Sequence, residues 1–125
     1  MKGEHMKLNY ITIMVRDIEK SITFYQELVG LKIVRRFNPG AGEIAFLSHG
    51  ESDTMLEVIQ IDGTEKVSTK GIVFSFEANE ELEILRDKAI KQGYAVSEVI
   101  DRKPKPKHFR VIDPDGLTIE FSEKE

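Results

Sequence analysis

Residues 8–15 (LNYITIMV) are rich in β-forming side chains and give a strand two distinct faces. Ile11, Ile13 and Val15 lie on one face, and Tyr10, Thr12 and Met14 lie on the other. Asp17 then stands at a helix N-cap position, and apolar residues recur at helical spacing as far as Gly30, which predicts a helix over about 18–29. Three further strands are predicted in the first half of the chain, at 31–37, 43–49 and 54–61.

The second half of the chain has the same predicted order of elements. It follows residues 62–70, a polar stretch without periodicity that suits a connection between two modules. A strand is predicted at 71–77, followed by a helix with Asn79 as its N-cap and Gly93 at its end. Three more strands are predicted, at 94–100, 108–112 and 117–121.

Matched features of the two halves are separated by a nearly constant distance along the chain. Gly30 and Gly93 are 63 residues apart, as are Glu57 and Glu120, while Tyr10 and Gly71 are 61 apart. The sequence therefore predicts an α+β fold in which one domain, 1–125, is made of two tandem βαβββ modules, 8–61 and 71–122. One helix covers only one face of each sheet. Two such sheets, paired within a chain or across a dimer, make a cupped half-barrel with a concave side for a ligand.

Composition narrows the classes of function. Because the 125 residues include no cysteine, disulfides, thiolate metal sites and cysteine nucleophiles are excluded. The formal charge of −4 argues against a nucleic-acid partner. No apolar run approaches the roughly 18 residues of a membrane span, and no signal peptide is recognised, so we expect a cytoplasmic protein with a small-molecule partner.

Two segments carry a resemblance to a known family. The opening ITIMVRDIEKSITFYQELVGLKIV and the closing VIDPDGLTIEF, with Asp-Pro-Asp-Gly-x-x-x-Glu at 113–120, resemble the vicinal oxygen chelate superfamily. This superfamily includes glyoxalase I, bleomycin-resistance proteins, fosfomycin-resistance enzymes and extradiol dioxygenases. The resemblance covers nearly the whole chain and implies the same cupped fold of paired βαβββ modules.

The resemblance also implies four positions for metal ligands. They correspond to Tyr10, Glu57, Gly71 and Glu120, so two carboxylates are present and two ligands are missing. Such a set disfavours Ni²⁺ and Zn²⁺, and it leaves either no cofactor or a weakly bound Mg²⁺ or Mn²⁺. Alternatively, Glu57 and Glu120 act as a metal-free acid and base, or simply line a wet cavity.

Other residues of the expected concave side point to the type of ligand. Members similar to glyoxalase I hold the glutathione carboxylate with an arginine at the position of Met14, and a thioether cannot form that ion pair. Glutathione is therefore disfavoured as a substrate. The remaining predicted lining suits an aromatic or amphipathic molecule, unless these side chains only fill the cup, and consists of Tyr10, Thr12, Met14, Val73 and Ser75.

The segment 102–110 (RKPKPKHFR) has five basic residues and no acidic one. Its prolines predict an extended loop, which is either a lid that attracts an anionic ligand or a solvated surface loop. His108 and Arg110 share strand parity and are predicted to line the cavity.

Two hypotheses of function follow from these patterns. The first is a homodimeric binding protein of the bleomycin-resistance type with a degenerate metal site. The second is a divergent lyase or isomerase, similar to lactoylglutathione lyase, that recruits a divalent cation on Glu57 and Glu120. The dimer is expected from the resemblance and from the need to cover sheet edges.

Overall fold

A computed structural model of the chain describes residues 5–50 and 53–124. They form two compact units, one ending at Val67 and the other beginning at Ser68. The first unit contains β1 (Tyr10–Met14), α1 (Ile18–Thr23), a π-helical turn (Phe24–Leu28), β2 (Lys32–Phe37), β3 (Gly42–Ser48) and β4 (Met55–Ile61). The second contains β5 (Val73–Glu77), α2 (Leu82–Lys91), β6 (His108–Ile112) and β7 (Thr118–Ser122). No helix in the described part of the chain has the length and hydrophobicity of a membrane span.

The first unit is a four-stranded sheet in the order β1-β4-β3-β2. Strands β1 and β4 are parallel, and the other neighbours are antiparallel. The predicted N-cap is confirmed, because the Asp17 carboxylate accepts the backbone N–H groups of Glu19 and Lys20. The predicted helix does not stay α-helical to its end. From Phe24 it widens into the π-helical turn, in which the N–H of Val29 donates to the Phe24 carbonyl.

The second unit is a three-stranded sheet in the order β5-β7-β6. One face of this sheet is apolar, with Phe109, Val111, Ile119 and Phe121 all buried. Helix α2 contacts β6 and buries its own apolar residues, Leu82, Leu85 and Ala89. Burial of these two apolar surfaces provides the core of the unit.

Two predictions about the second unit were wrong. Residues 94–100 form only isolated bridges to β6, between Val96 and Val111 and between Ile100 and His108. The four residue steps from Val96 to Ile100 therefore lie opposite only three steps of β6, from Val111 to His108. This mismatch is a β-bulge, and it interrupts the ladder of backbone hydrogen bonds. The Ser97 hydroxyl accepts the Arg110 N–H at this point. The helix also begins later than expected, since Glu81 is its N-cap residue rather than Asn79.

The turn between β6 and β7 sets the register of these strands. One carboxylate oxygen of the buried Asp113 accepts the N–H groups of Asp115 and Leu117, at 2.8 and 2.9 Å. Gly116 has a φ of 90°, which suits glycine because it has no Cβ. This turn aligns Arg110 with Glu120 on the neighbouring strand.

Candidate functional site

Four of the sequence-predicted site residues lie on one face of the first unit's sheet. Thr12 of β1 is the register partner of Glu57 on β4. Tyr10 and Met14 are each two residues from Thr12, so they point to the same side of the sheet. The parallel pairing of β1 and β4 therefore groups these four side chains.

Glu57 is nearly buried, with 8% of its surface exposed. The Thr12 hydroxyl donates a hydrogen bond to its Oε1. Within residues 5–50 and 53–124, no basic side chain forms an ion pair with this carboxylate. Glu57 thus has a neutral hydrogen-bond partner, the Thr12 hydroxyl.

A group of aromatic rings lies beside Glu57 on this face. Phe46 is its register partner on β3, and the Tyr10 ring meets the Phe46 ring edge-on at a centroid distance of 5.2 Å. Phe37 stacks on Phe46 at 6.5 Å, and the Arg35 guanidinium lies 4.9 Å from the Phe46 centroid. We call Tyr10, Phe37, Phe46 and Arg35 the aromatic face. Tyr10 and Phe37 are 45% and 41% exposed, so a ligand can reach them.

The sequence analysis did not single out Phe46 of β3, and it missed Arg35 and Phe37 because of an irregularity in β2. The register shifts between Ile33 and Arg35, so Val34 is an extra residue in that strand. The shift brings Arg35 opposite Phe46 and Phe37 opposite Ile44. Simple alternation along β2 would have directed Arg35 and Phe37 to the other face of the sheet.

The remaining predicted site residues share one face of the second unit's sheet. Glu120 on β7 has Ser75 on one side and Arg110 on the other. Val73 precedes Ser75 by two residues and His108 precedes Arg110 by two, so both point to the same face. Gly71 lies before β5, and its N–H donates to the Thr69 hydroxyl. The face of this sheet is therefore polar around the Glu120 carboxylate.

Glu120 is 3% exposed and is surrounded by donors. The Ser75 hydroxyl donates to Oε2 at 2.9 Å, and the Lys105 ammonium donates to Oε1 at 2.5 Å. Arg110 Nη2 and His108 Nε2 lie 3.5 and 3.8 Å from the same Oε1. We call Glu120, Ser75, Lys105, His108 and Arg110 the Glu120 cluster.

Burial and hydrogen bonding have opposite effects on the Glu120 carboxyl. Burial raises its pKa, but the hydrogen bonds from Lys105 and Ser75, together with the charges of Lys105 and His108, outweigh burial. The pKa of Glu120 is therefore below its ordinary value, and the carboxylate is ionised near neutral pH. A lowered pKa also makes this group a weaker proton acceptor.

His108 is oriented by the backbone of the basic segment. Its Nδ1 lies 2.9 Å from the Pro106 carbonyl oxygen. Because a carbonyl oxygen can only accept, Nδ1 carries the proton and Nε2 faces Glu120. His108 as a whole is 4% exposed and is fixed as part of the cluster.

Lys105 is a site residue that sequence analysis did not single out. The composition of the segment 102–110 indicated an attraction for anions, but it could not tell which of its basic residues reaches the sheet. Lys105 follows a turn in which its N–H donates to the Arg102 carbonyl, and its side chain contacts Glu120.

The side chains at the four expected metal-ligand positions do not fit a tightly held metal ion. Tyr10 offers a phenol, Gly71 offers no side chain, and the Glu120 oxygens already accept from an ammonium and a hydroxyl. A metal ion on Glu120 would have to displace the Lys105 ammonium and then lie close to Arg110. In the described ranges, no group of three or more His, Asp or Glu side chains is arranged to hold a metal.

The fold agrees with that of a known family. The model of the Glyoxalase/Bleomycin resistance protein/Dioxygenase superfamily matches residues 7–121. The chain belongs to this superfamily. The resemblance inferred from the opening and closing segments is thereby confirmed, as is the α+β glyoxalase/bleomycin-resistance fold.

Individual members of the superfamily are similar to this chain over most of their length. The glutathione transferase FosA of Serratia marcescens is 30% identical, with 91% of this chain and 78% of that protein covered. A lactoylglutathione lyase of Neisseria meningitidis is 28% identical, with 95% and 91% covered. The structure of glyoxalase I of Leishmania major matches with a TM-score of 0.78 at 25% identity, covering 95% of this chain and 87% of that one.

The ionised Glu120 predicts a specific pH dependence of stability. Folding lowers the pKa of Glu120, so the ionised carboxylate adds to the free energy of unfolding. This contribution is complete at pH values above the ordinary carboxyl pKa of 4.5, and it is lost as the pH falls through the lowered pKa of the folded state. Glu120→Gln should reduce the free energy of unfolding by about 1 to 2 kcal/mol at neutral pH. Urea unfolding across a pH series measures this difference, which should shrink below pH 4.5.

Lys105→Met is the companion variant for this pH series. It removes the largest favourable contact of the carboxylate, so the pH dependence of stability should become flatter than in the unmodified chain. A Glu120→Gln effect of the same size at every pH would contradict the assignment of a stabilising ionised carboxylate.

Proposed function

We propose that the protein binds a small, partly apolar molecule and does not transform it. The observation that carries this proposal is the aromatic face, where exposed Tyr10 and Phe37 flank the buried Phe46. Rings arranged edge-on and stacked offer π-surfaces to a planar ligand, while Thr12 supplies a hydroxyl nearby. The predicted lining residues of the second unit, Val73, Ser75, His108 and Arg110, stay predictions for ligand binding.

The relatives support a small-molecule ligand. By their names, FosA is a glutathione transferase and the Neisseria protein is a lactoylglutathione lyase, so both names refer to glutathione or a derivative of it. Met14 argues against glutathione itself here, because its thioether cannot pair with a carboxylate. Glu57 and Glu120 already accept hydrogen bonds and have few other metal ligands near them, which favours binding of a small molecule over metal-assisted chemistry.

A panel of aromatic small molecules tests this proposal. Ligands that raise the melting temperature are titrated by calorimetry against the unmodified chain and against Tyr10→Ala and Phe37→Ala. Each variant should weaken binding about fivefold, because one ring contact contributes on the order of 1 kcal/mol.

The control is Ile33→Ala, which removes an exposed apolar side chain from the opposite face of the same strand β2. Its affinity for the ligand should equal that of the unmodified chain. Recovery of a chemically altered ligand by mass spectrometry would reject a pure binding role. Equal losses in all three variants would reject the aromatic face as the site.

The second candidate function is a divergent lyase or isomerase that recruits Mg²⁺ or Mn²⁺ on Glu57 and Glu120. The similarity to lactoylglutathione lyase over 95% of this chain favours it. The Lys105 ammonium on Glu120 opposes it, since a bound cation must replace that contact.

An activity assay with added metals tests the second candidate. Formation of lactoylglutathione is followed with Mg²⁺, Mn²⁺, Ni²⁺ or Zn²⁺ present, and the purified chain is subjected to elemental analysis. We expect no bound metal and no rate above background. A metal-dependent rate that falls at least about tenfold in both Glu57→Gln and Glu120→Gln would establish the lyase instead.

We also propose that the protein is a homodimer. Strand β2 lies at the edge of the first sheet, and all six of its residues are exposed, which leaves backbone groups available for pairing. Sedimentation equilibrium should give twice the chain mass of 14.3 kDa. A species of 14.3 kDa at all concentrations would refute the dimer.

A further inference from the structure

We propose that Lys105 and Arg110, held beside the buried Glu120 carboxylate, form a binding subsite for small oxyanions. The ligand group is a phosphate, phosphonate or carboxylate, whether free or part of a larger molecule. This inference does not depend on the aromatic face, so either proposal can fail without the other.

The charges of the cluster do not cancel. Glu120 contributes one negative charge, while Lys105 and Arg110 contribute two positive charges within 3.5 Å of the same carboxylate oxygen. The excess cation lies in a segment, 102–110, that has five basic residues and no acidic one. A local positive potential in a chain of net charge −4 attracts an anion to this place.

Arg110 has hydrogen-bond donors that the protein does not satisfy. Its Nε is buried and has no acceptor among the described residues. Its Nη2 is 3.5 Å from Glu120, a distance that gives electrostatic attraction rather than a good hydrogen bond. A buried unpaired N–H is costly, and an oxyanion with several oxygens would satisfy it.

Both cations are accessible to a ligand although the carboxylate beneath them is not. The side chains of Lys105 and Arg110 are 48% and 41% exposed, against 4% for Glu120. The Lys105 ammonium uses one of its three N–H donors on Glu120, so two others can contact an anion. Glu120 therefore positions the two cations and also competes with the ligand for them.

Inorganic phosphate is the probe for this subsite. Binding is followed by NMR chemical-shift titration of the full chain at constant ionic strength, and circular dichroism verifies that each variant is folded. Lys105→Met and Arg110→Met should each weaken binding about tenfold, the value for loss of a charge-assisted hydrogen bond. Arg110→Lys, which keeps the charge but loses the planar fork, should bind more weakly than the unmodified chain.

Lys103→Met is the matched control. It removes the same charge from the same segment, but Lys103 is not among the residues that contact Glu120. Its affinity for phosphate should stay within about twofold of the unmodified chain. Equal weakening by Lys103→Met and Lys105→Met would mean diffuse attraction by the segment and would overturn the proposal.

Glu120→Gln should strengthen phosphate binding, whereas Lys105→Met and Arg110→Met should weaken it. Removing the internal carboxylate leaves both cations without their counter-ion, so phosphate should bind several-fold more tightly. Absence of saturable shifts in the unmodified chain, or weaker phosphate binding by folded Glu120→Gln, would also overturn the subsite. If no aromatic molecule of the panel bound to the aromatic face, the expected results with phosphate would not change. The two proposals can therefore be tested separately.

Discussion

The buried carboxylate of Glu120 is the constraint on which the second unit depends. An ionised group with 3% exposure is stable only if nearby donors replace the water that it has lost. Ser75 from β5 and Lys105 from the segment before β6 donate hydrogen bonds, and Arg110 from β6 adds a positive charge 3.5 Å away. The Asp113 turn makes this convergence possible, since it aligns β6 with β7.

Glu57 in the first unit and Glu120 in the second have different hydrogen-bond partners and neighbours. Glu57 accepts from the Thr12 hydroxyl and lies beside Phe46, whereas Glu120 is neutralised by a lysine ammonium and lies near a guanidinium. The sequence repeat places the two carboxylates at equivalent positions, but the surrounding side chains have diverged. One sheet face is therefore aromatic and the other is cationic, and neither Tyr10 nor Gly71 supplies an imidazole of the kind that holds transition metals well.

Much of the fold could be predicted because its determinants are local. The Asp17 cap and the positive φ of Gly93 depend on a few neighbouring residues. The failures were also local in origin. Val34 in β2 and the Ser97 contact beside β6 each disrupt the period of two, and nothing in hydrophobic alternation marks an extra residue.

The sequence by itself determined the division into two similar halves, the strands that carry Glu57 and Glu120, the superfamily resemblance and the absence of thiolate chemistry. These follow from periodicity, spacing and composition. Only the tertiary structure decided that Lys105, rather than its neighbours Lys103 and Lys107, meets Glu120, and that Arg35 stacks on Phe46. Such contacts depend on strand register and on distances between residues far apart in the chain, because electrostatic and ring interactions act through space.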